Sequence, residues 1–276
     1  MGRFTSIDGN VLDGVSATTL WTLRNRAEEA KRSDGVIRDP WAITLLDAID
    51  YDYDRFGRAG QPHGLRALAF DAATRDYLAQ HPKASVVALA EGLQTSFWRL
   101  DRDGVVTDSH WYSIDLPPVM KLRAELLPGD ERIASLAQSA LDLSWMDQVD
   151  STDGVFITAE GLLMYLPPDE ALGLIRACAQ RFPGGAMMFD SIPPWFSRRT
   201  LRGMKLSGRY TAPPMPFGLT ADEALALAGR IPGVTSARDV MMPPGRGLFK
   251  LAALPQLDRG LVHRTRPSIT VLQFGS

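Results

Sequence analysis

Three stretches early in the chain set their apolar residues at helical spacing. Residues 18–32 carry Leu20, Leu23 and Ala27 on one side and Glu28, Lys31 and Arg32 on the other, as an amphipathic helix does. Asp39-Pro40 opens a second helix, Asp as its cap and Pro in its first turn, with Trp41, Leu45, Leu46 and Ile49 as the apolar face. A third runs from Pro62 to Gln80 through Leu65, Leu68, Ala69, Ala72 and Tyr77, and His81-Pro82-Lys83 ends it. From Ser85 the period changes. Residues 85–90 form a short apolar, β-branched run suited to a strand covered on both faces, and similar runs recur at 111–115, 133–137, 154–159 and 186–190. Helical patterns at 118–127 and 168–181 separate most of them, which predicts an α/β fold with a mainly parallel sheet. Two further runs, 234–241 and 247–253, have no convincing helix between them and predict an antiparallel hairpin at the sheet's end.

Composition narrows the possibilities. The chain has 276 residues, 45% hydrophobic and 22% charged, enough to bury a core without disulfide or metal staples. A net charge of −2 and the lack of a basic run give no footprint for nucleic acid. The most apolar stretch, 155–166, is interrupted by Glu160 and is too short to span a bilayer, and the first residues lack the apolar core of a signal peptide. These features predict a cytoplasmic protein without a membrane partner. Cys178 is the only cysteine, and His63, His81, His110 and His263 show no ligand spacing, so no metal is predicted.

Chemistry concentrates at strand ends. The first strand runs into Ala90-Glu91-Gly92 and the second ends at Asp115, an arrangement that suits a nucleotide: a tight turn admits the ligand and the carboxylate accepts from ribose hydroxyls. The plainer alternative is an ordinary turn with a solvated Asp. Asp142, after the third strand, suits an adenine amino group, with the adjacent backbone N–H for a ring nitrogen, or equally caps a helix. Glu160 follows the fourth strand directly and is flanked by apolar residues, where a carboxylate is costly unless paired.

Residues 86–100, Val-Val-Ala-Leu-Ala-Glu-Gly-Leu-Gln-Thr-Ser-Phe-Trp-Arg-Leu, resemble the first motif of the leucine carboxyl methyltransferase superfamily, especially its polyketide-synthesis O-methyltransferase branch. Gly14-Val15-Ser16-Ala17-Thr18, Asn25-Arg26-Ala27, Asp39-Pro40-Trp41-Ala42, Arg66 with Asp71, Asp115-Leu116-Pro117, Ala140-Leu141-Asp142, residues 160–166 and residues 181–185 follow in the family's order. The resemblance implies a class I S-adenosylmethionine (SAM)-dependent methyltransferase fold: Rossmann-like, mainly parallel, with an N-terminal helical cap and an inserted lid. It divides a single domain, 1–276, into a cap (1–82), a SAM-binding core (83–192), a lid (193–220) and a segment completing the sheet (221–276). It also implies that Arg66 meets the cofactor carboxylate and that Ala90, Glu91 and Gly92 replace the glycine loop. Asp115 and Leu116 then lie at the ribose, Asp142 and Leu143 at the adenine, and Glu160 near the methionine amino group. Three positions depart from the family. Ala90 stands where glycine is common, Gln94 replaces an acidic residue, and Ser96 a longer polar one. If position 90 needs a positive φ, its Cβ costs roughly 1–2 kcal/mol.

Methyl transfer from a sulfonium is an in-line displacement, for which the protein chiefly positions the acceptor and excludes water. A carboxylate acceptor needs no base, which fits a chain without a Ser/His/Asp or Cys/His constellation. A phenol would benefit from one, and His63, His110 and Tyr165 are the candidates, each with a structural alternative. Between 191 and 220 lie Pro193, Pro194, Pro213, Pro214 and Pro216 among aromatic residues, which suggests a lid. Trp195, Phe196, Tyr210, Met215 and Phe217 would wall the acceptor pocket and Arg198 and Arg199 pair with an acidic acceptor, unless the aromatics simply pack on the core. The expected activity is SAM-dependent O-methylation of a carboxylate, or a phenolic oxygen, of a small or polyketide-like metabolite. One alternative is a non-catalytic or weakened SAM-binding protein, suggested by Ala90. Another is a nicotinamide-dependent oxidoreductase, against which Thr95 stands where the third glycine of G-x-G-x-x-G belongs. Calorimetric titration separates these: SAM and S-adenosylhomocysteine are expected to bind and NADH to give no heat.

Overall fold

The computed structural model describes residues 6–247, 249, 250 and 258–275. A parallel pair, β1 (Ile7–Asp8) and β2 (Ile49–Asp50), ties the start of the chain to the cap helices α1 (Thr18–Ala30) and α2 (Pro40–Ala48). Helix α2 starts where its capping signal predicts, with the Asp39 carboxylate accepting from Ala42 N at 3.0 Å. Helix α3 (Pro62–Gln80) has the predicted bounds.

Strands β3 (Ser85–Leu89), β4 (His110–Asp115), β5 (Ile133–Ala137), β6 (Val155–Ala159), β7 (Ala186–Ser191), β8 (Val234–Asp239) and β9 (Ser268–Phe274) form one sheet in the order β5-β4-β3-β6-β7-β9-β8. The first five are parallel, and β9 pairs antiparallel with both β7 and β8. The antiparallel end is therefore as expected, but the partner of β8 is not the 247–253 run. Residues 247, 249 and 250 lie in a short helical turn, and 248 and 251–253 fall outside the described residues. The partner comes from the later Ser-Ile-Thr-Val-Leu-Gln-Phe run.

Alternation along the strands divides the core in two. Val87, Leu89, Ile114, Ile157 and Phe189 face α6 (Pro168–Arg181), while Val86, Ala88, Trp111, Phe156 and Met188 face α3 and α4 (Ser96–Arg102). The third predicted cap helix thus also covers the sheet. A separate apolar cluster joins α1 and α2 to α5 (Pro117–Leu126). Among the described residues the remaining α-helices are α7 (Pro194–Leu201), α8 (Ala221–Leu225) and α9 (Leu261–Thr265).

Cap and sheet domain are joined by charge as well as by apolar contact. Arg99 on α4 grips Asp71 of α3 with two nitrogens, at 2.6 and 3.0 Å, and reaches Asp39 at 2.8 Å. Arg26 of α1 lies 3.3 Å from the same Asp39 carboxylate, and Thr95 donates to it at 2.7 Å. All five side chains are buried. Burial pushes the Asp39 pKa up, but Arg99 and Arg26 overcome this and hold it at about 2, against an ordinary 3.8. A carboxyl depressed on folding stabilises above its unfolded pKa, and that contribution is lost as pH falls from 3.8 through 2. The span corresponds to about 2 kcal/mol. Asp39→Asn leaves two buried guanidiniums short of an anion, so urea unfolding at neutral pH should show a loss of about 3 kcal/mol or more. The variant should also lose part of the parent's acid sensitivity between pH 4 and 2.

Candidate active site

A cavity of about 900 Å³ opens at the carboxyl edge of the sheet, beside β3 and β6, where the strand order reverses. That is the position at which open α/β sheets take ligands. After β3 the chain turns through Ala90 at φ 49° and Gly92 at φ 60°. Ala90 is the one non-glycine residue with positive φ among the described residues, so the expected strain is present. At Gly92 a Cβ would collide with Thr19 Oγ1, which accepts from Leu93 N at 2.6 Å. Asp115, at the end of β4, accepts from Gly92 N at 2.6 Å and Leu116 N at 2.7 Å. Burial raises its pKa, and the two N–H donors oppose the rise.

Three buried arginines hold this loop from beneath. Arg26 donates to Leu93 O at 2.6 Å, and Arg123 of α5 donates to Gly92 O and Gln94 O, both at 2.8 Å. Arg99 holds the Thr95 hydroxyl at 2.8 Å and the Ser96 hydroxyl at 2.8 Å. Glu91 turns inward, its carboxylate 2.7 Å from Arg123 and 3.3 Å from Trp111 Nε1, and burial raises its pKa.

Across the cavity Arg66 of α3 lies between two strand-end carboxylates, Nε 2.9 Å from Glu160 and Nη1 2.9 Å from Asp190. Gln94 donates to Glu160 at 2.8 Å, so the amide at this position serves as a donor, which an ionised acid could not. Asp190 also accepts from Gly161 N at 2.6 Å. Sequence reasoning passed over Asp190, although it stands at the end of β7 as Asp115 does at the end of β4.

Of the residues singled out from sequence, Arg66, Ala90, Glu91, Gly92, Asp115, Leu116, Glu160, His63, Tyr165 and Phe196 line the cavity. Asp142 and Leu143 do not. Asp142 caps a short 3₁₀ helix by accepting from Ser144 N, and Leu143 faces solvent, so residues 138–141 line that end instead. His110 begins β4, at the sheet edge opposite the cavity. The lid residues scatter. Tyr210 packs in the cap against Phe56, Phe217 enters the main core, and Met215 packs behind Met164 and Ile192, which do line the cavity. Trp195, Arg198 and Arg199 are on the exposed face of α7. Trp21 is a wall residue that sequence reasoning missed, being left out of the apolar face of Leu20, Leu23 and Ala27; it meets the His63 ring edge-on at 4.8 Å.

The profile of the leucine carboxyl methyltransferase family matches residues 19–179. The chain is 33% identical over 228 residues to the tetracenomycin polyketide synthesis O-methyltransferase TcmP of Streptomyces glaucescens, covering 81% of each. It is 31% identical over 201 residues to a Mycobacteroides abscessus protein named as an S-adenosyl-L-methionine-dependent methyltransferase, covering 62% of this chain and 64% of the other. Among solved structures, a Thermobifida fusca chain titled as a methyltransferase superposes with a TM-score of 0.56 at 16% identity, covering 93% of this chain and 94% of the other. Its likeness is one of fold.

Replacing Ala90 by glycine removes a left-handed alanine but adds freedom to the unfolded chain. The balance is a gain of about 0.5–1 kcal/mol. Thermal unfolding of Ala90→Gly should therefore have a midpoint about 2 °C higher. A lower midpoint would mean that the turn is unstrained.

Proposed function

The chain belongs to the leucine carboxyl methyltransferase family and is a SAM-dependent methyltransferase, and from that premise we propose that it methylates a carboxylate of a small, largely apolar, polyketide-like metabolite. The observation that carries the proposal is the pairing of an anionic cofactor end with a largely apolar chamber in which His63 and Tyr165, the predicted bases, are poorly suited to accept a proton. Arg66, Glu160 and Asp190 put two carboxylates beside one guanidinium, and Asp115 lines the same cavity, a set complementary to a ligand with an ammonium, a sulfonium and one carboxylate. Arg66 spends Nε and Nη1 on its two partners, and among the described residues Nη2 has no hydrogen bond, which leaves it for the methionine carboxylate. Asp115 keeps acceptor capacity for the ribose, and residues 138–141 replace Asp142 and Leu143 at the adenine end. The bound cofactor supplies an electrophilic methyl carbon.

The remaining wall, Trp21, Met164, Ile192, Phe196 and Met241 among it, keeps water from the acceptor and holds its oxygen in line. His63 is pushed well below its ordinary 6.5 by burial and by the nearby Arg66 and Arg26, so it stays neutral and is a poor proton acceptor. Burial raises Tyr165, so its phenol stays protonated at neutral pH. An acceptor that arrives ionised suits such a chamber, and a carboxylic acid does.

Incubation with methyl-labelled SAM and matched aromatic carboxylic acids and phenols tests this. The label is expected in a base-labile ester that releases methanol in mild alkali, with rates nearly flat from pH 6 to 8, because a simple carboxylic acid is already ionised there. A base-stable methyl ether as the main product would overturn the carboxylate assignment.

A further inference from the structure

Helix α7 has an inner and an outer side. Ser197 and Thr200 are buried, bonded to the O and N of Met215 at 2.7 and 3.0 Å, and Phe196 lines the cavity. Trp195, Arg198, Arg199 and Arg202 recur at helical spacing on the outer side. Leu201 beside them is 54% exposed. Trp195 Nε1 donates to Thr265 O at 2.9 Å, which joins this face to α9. There Leu261 is 77% and Val262 54% exposed, and Arg264 is exposed.

Single exposed apolar residues are ordinary, but four on two adjoining helices, set among arginines, are not. Among the described residues, no carboxylate pairs with Arg198, Arg199, Arg202 or Arg264, and neither helix contains an acidic residue. The carboxylates that reach α9, Asp222 and Asp258, are engaged by His263, and Arg266 holds Asp258 and Asp239. The whole chain has a net charge of −2, so this face is a local concentration of positive charge.

We propose that the α7–α9 face docks the protein on an anionic lipid surface. Leu201, Leu261, Val262 and Trp195 enter the headgroup boundary and the arginines meet lipid phosphates, the two signals that peripheral attachment requires. The contact is peripheral, since among the described residues no helix is long and apolar enough to cross a membrane. An acidic protein would match the charge, but the cavity favours lipid. Phe196 and Val262, on these same helices, line its largely apolar wall, so docking sets the chamber against the layer in which an apolar acceptor dissolves. The docking is independent of which oxygen is methylated.

Co-sedimentation of the full chain with phosphatidylcholine vesicles, with and without about a third phosphatidylglycerol, tests the proposal. Binding is expected to the anionic vesicles only and to weaken in about 0.5 M NaCl. Arg198→Glu with Arg199→Glu should cut partitioning about tenfold or more. Leu261→Ser should weaken it several-fold at unchanged charge, and thermal unfolding verifies that both variants fold. No sedimentation with anionic vesicles, equal sedimentation with neutral ones, or undiminished binding of either folded variant overturns the proposal and leaves the face to an acidic protein.

Discussion

Asp39 is the anion on which the cap, the first helix after β3 and the loop that follows β3 converge. Two guanidiniums, a threonine hydroxyl and a helix N-terminus share its carboxylate inside a buried contact. Buried ions are stable only when all their partners are in place, which makes such a cluster close to all-or-none. Its arginines extend from it to the loop, Arg26 to a backbone carbonyl and Arg99 to hydroxyls. A left-handed alanine persists in a turn when the surroundings over-determine its backbone, and here they do.

The site inherits its polarity from the same construction. Strands β4, β6 and β7 present Asp115, Glu160 and Asp190 at one edge, and α3, lying across the sheet, delivers the compensating Arg66. The cap therefore does more than wall one side of the cavity, because it supplies the only guanidinium paired with those strand-end acids among the described residues. Away from that end the lining is largely apolar, with Met164, Ile192, Phe196, Met241 and Ile269 in it.

Much of the architecture was legible where local chemistry is decisive. Proline in the first turn fixed the starts of α3 and α6, and strand-end carboxylates marked two sides of the cavity. The sheet's last pairing was misread because adjacency in sequence favours a hairpin, whereas β9 arrives after a long connection and inserts between β7 and β8. The aromatics of 193–220 signalled burial but not address, so Tyr210 went to the cap and Phe217 to the core while Phe196 alone reached the cavity. The network of Arg26, Asp39, Asp71 and Arg99 was illegible for a different reason: each residue has an ordinary local role, and only the tertiary fold pairs them.

The position of β9 also bears on biosynthesis. A chain made from its N-terminus presents β3 to β8 before β9, yet among the described residues β8 pairs within the sheet only with β9, and Ser268 and Ile269 of that strand line the cavity. The parallel half can fold as it emerges from the ribosome, while β8 waits as an unpaired edge. The part of the cavity wall that β9 supplies is therefore completed late in synthesis, after all the parallel strands have been made.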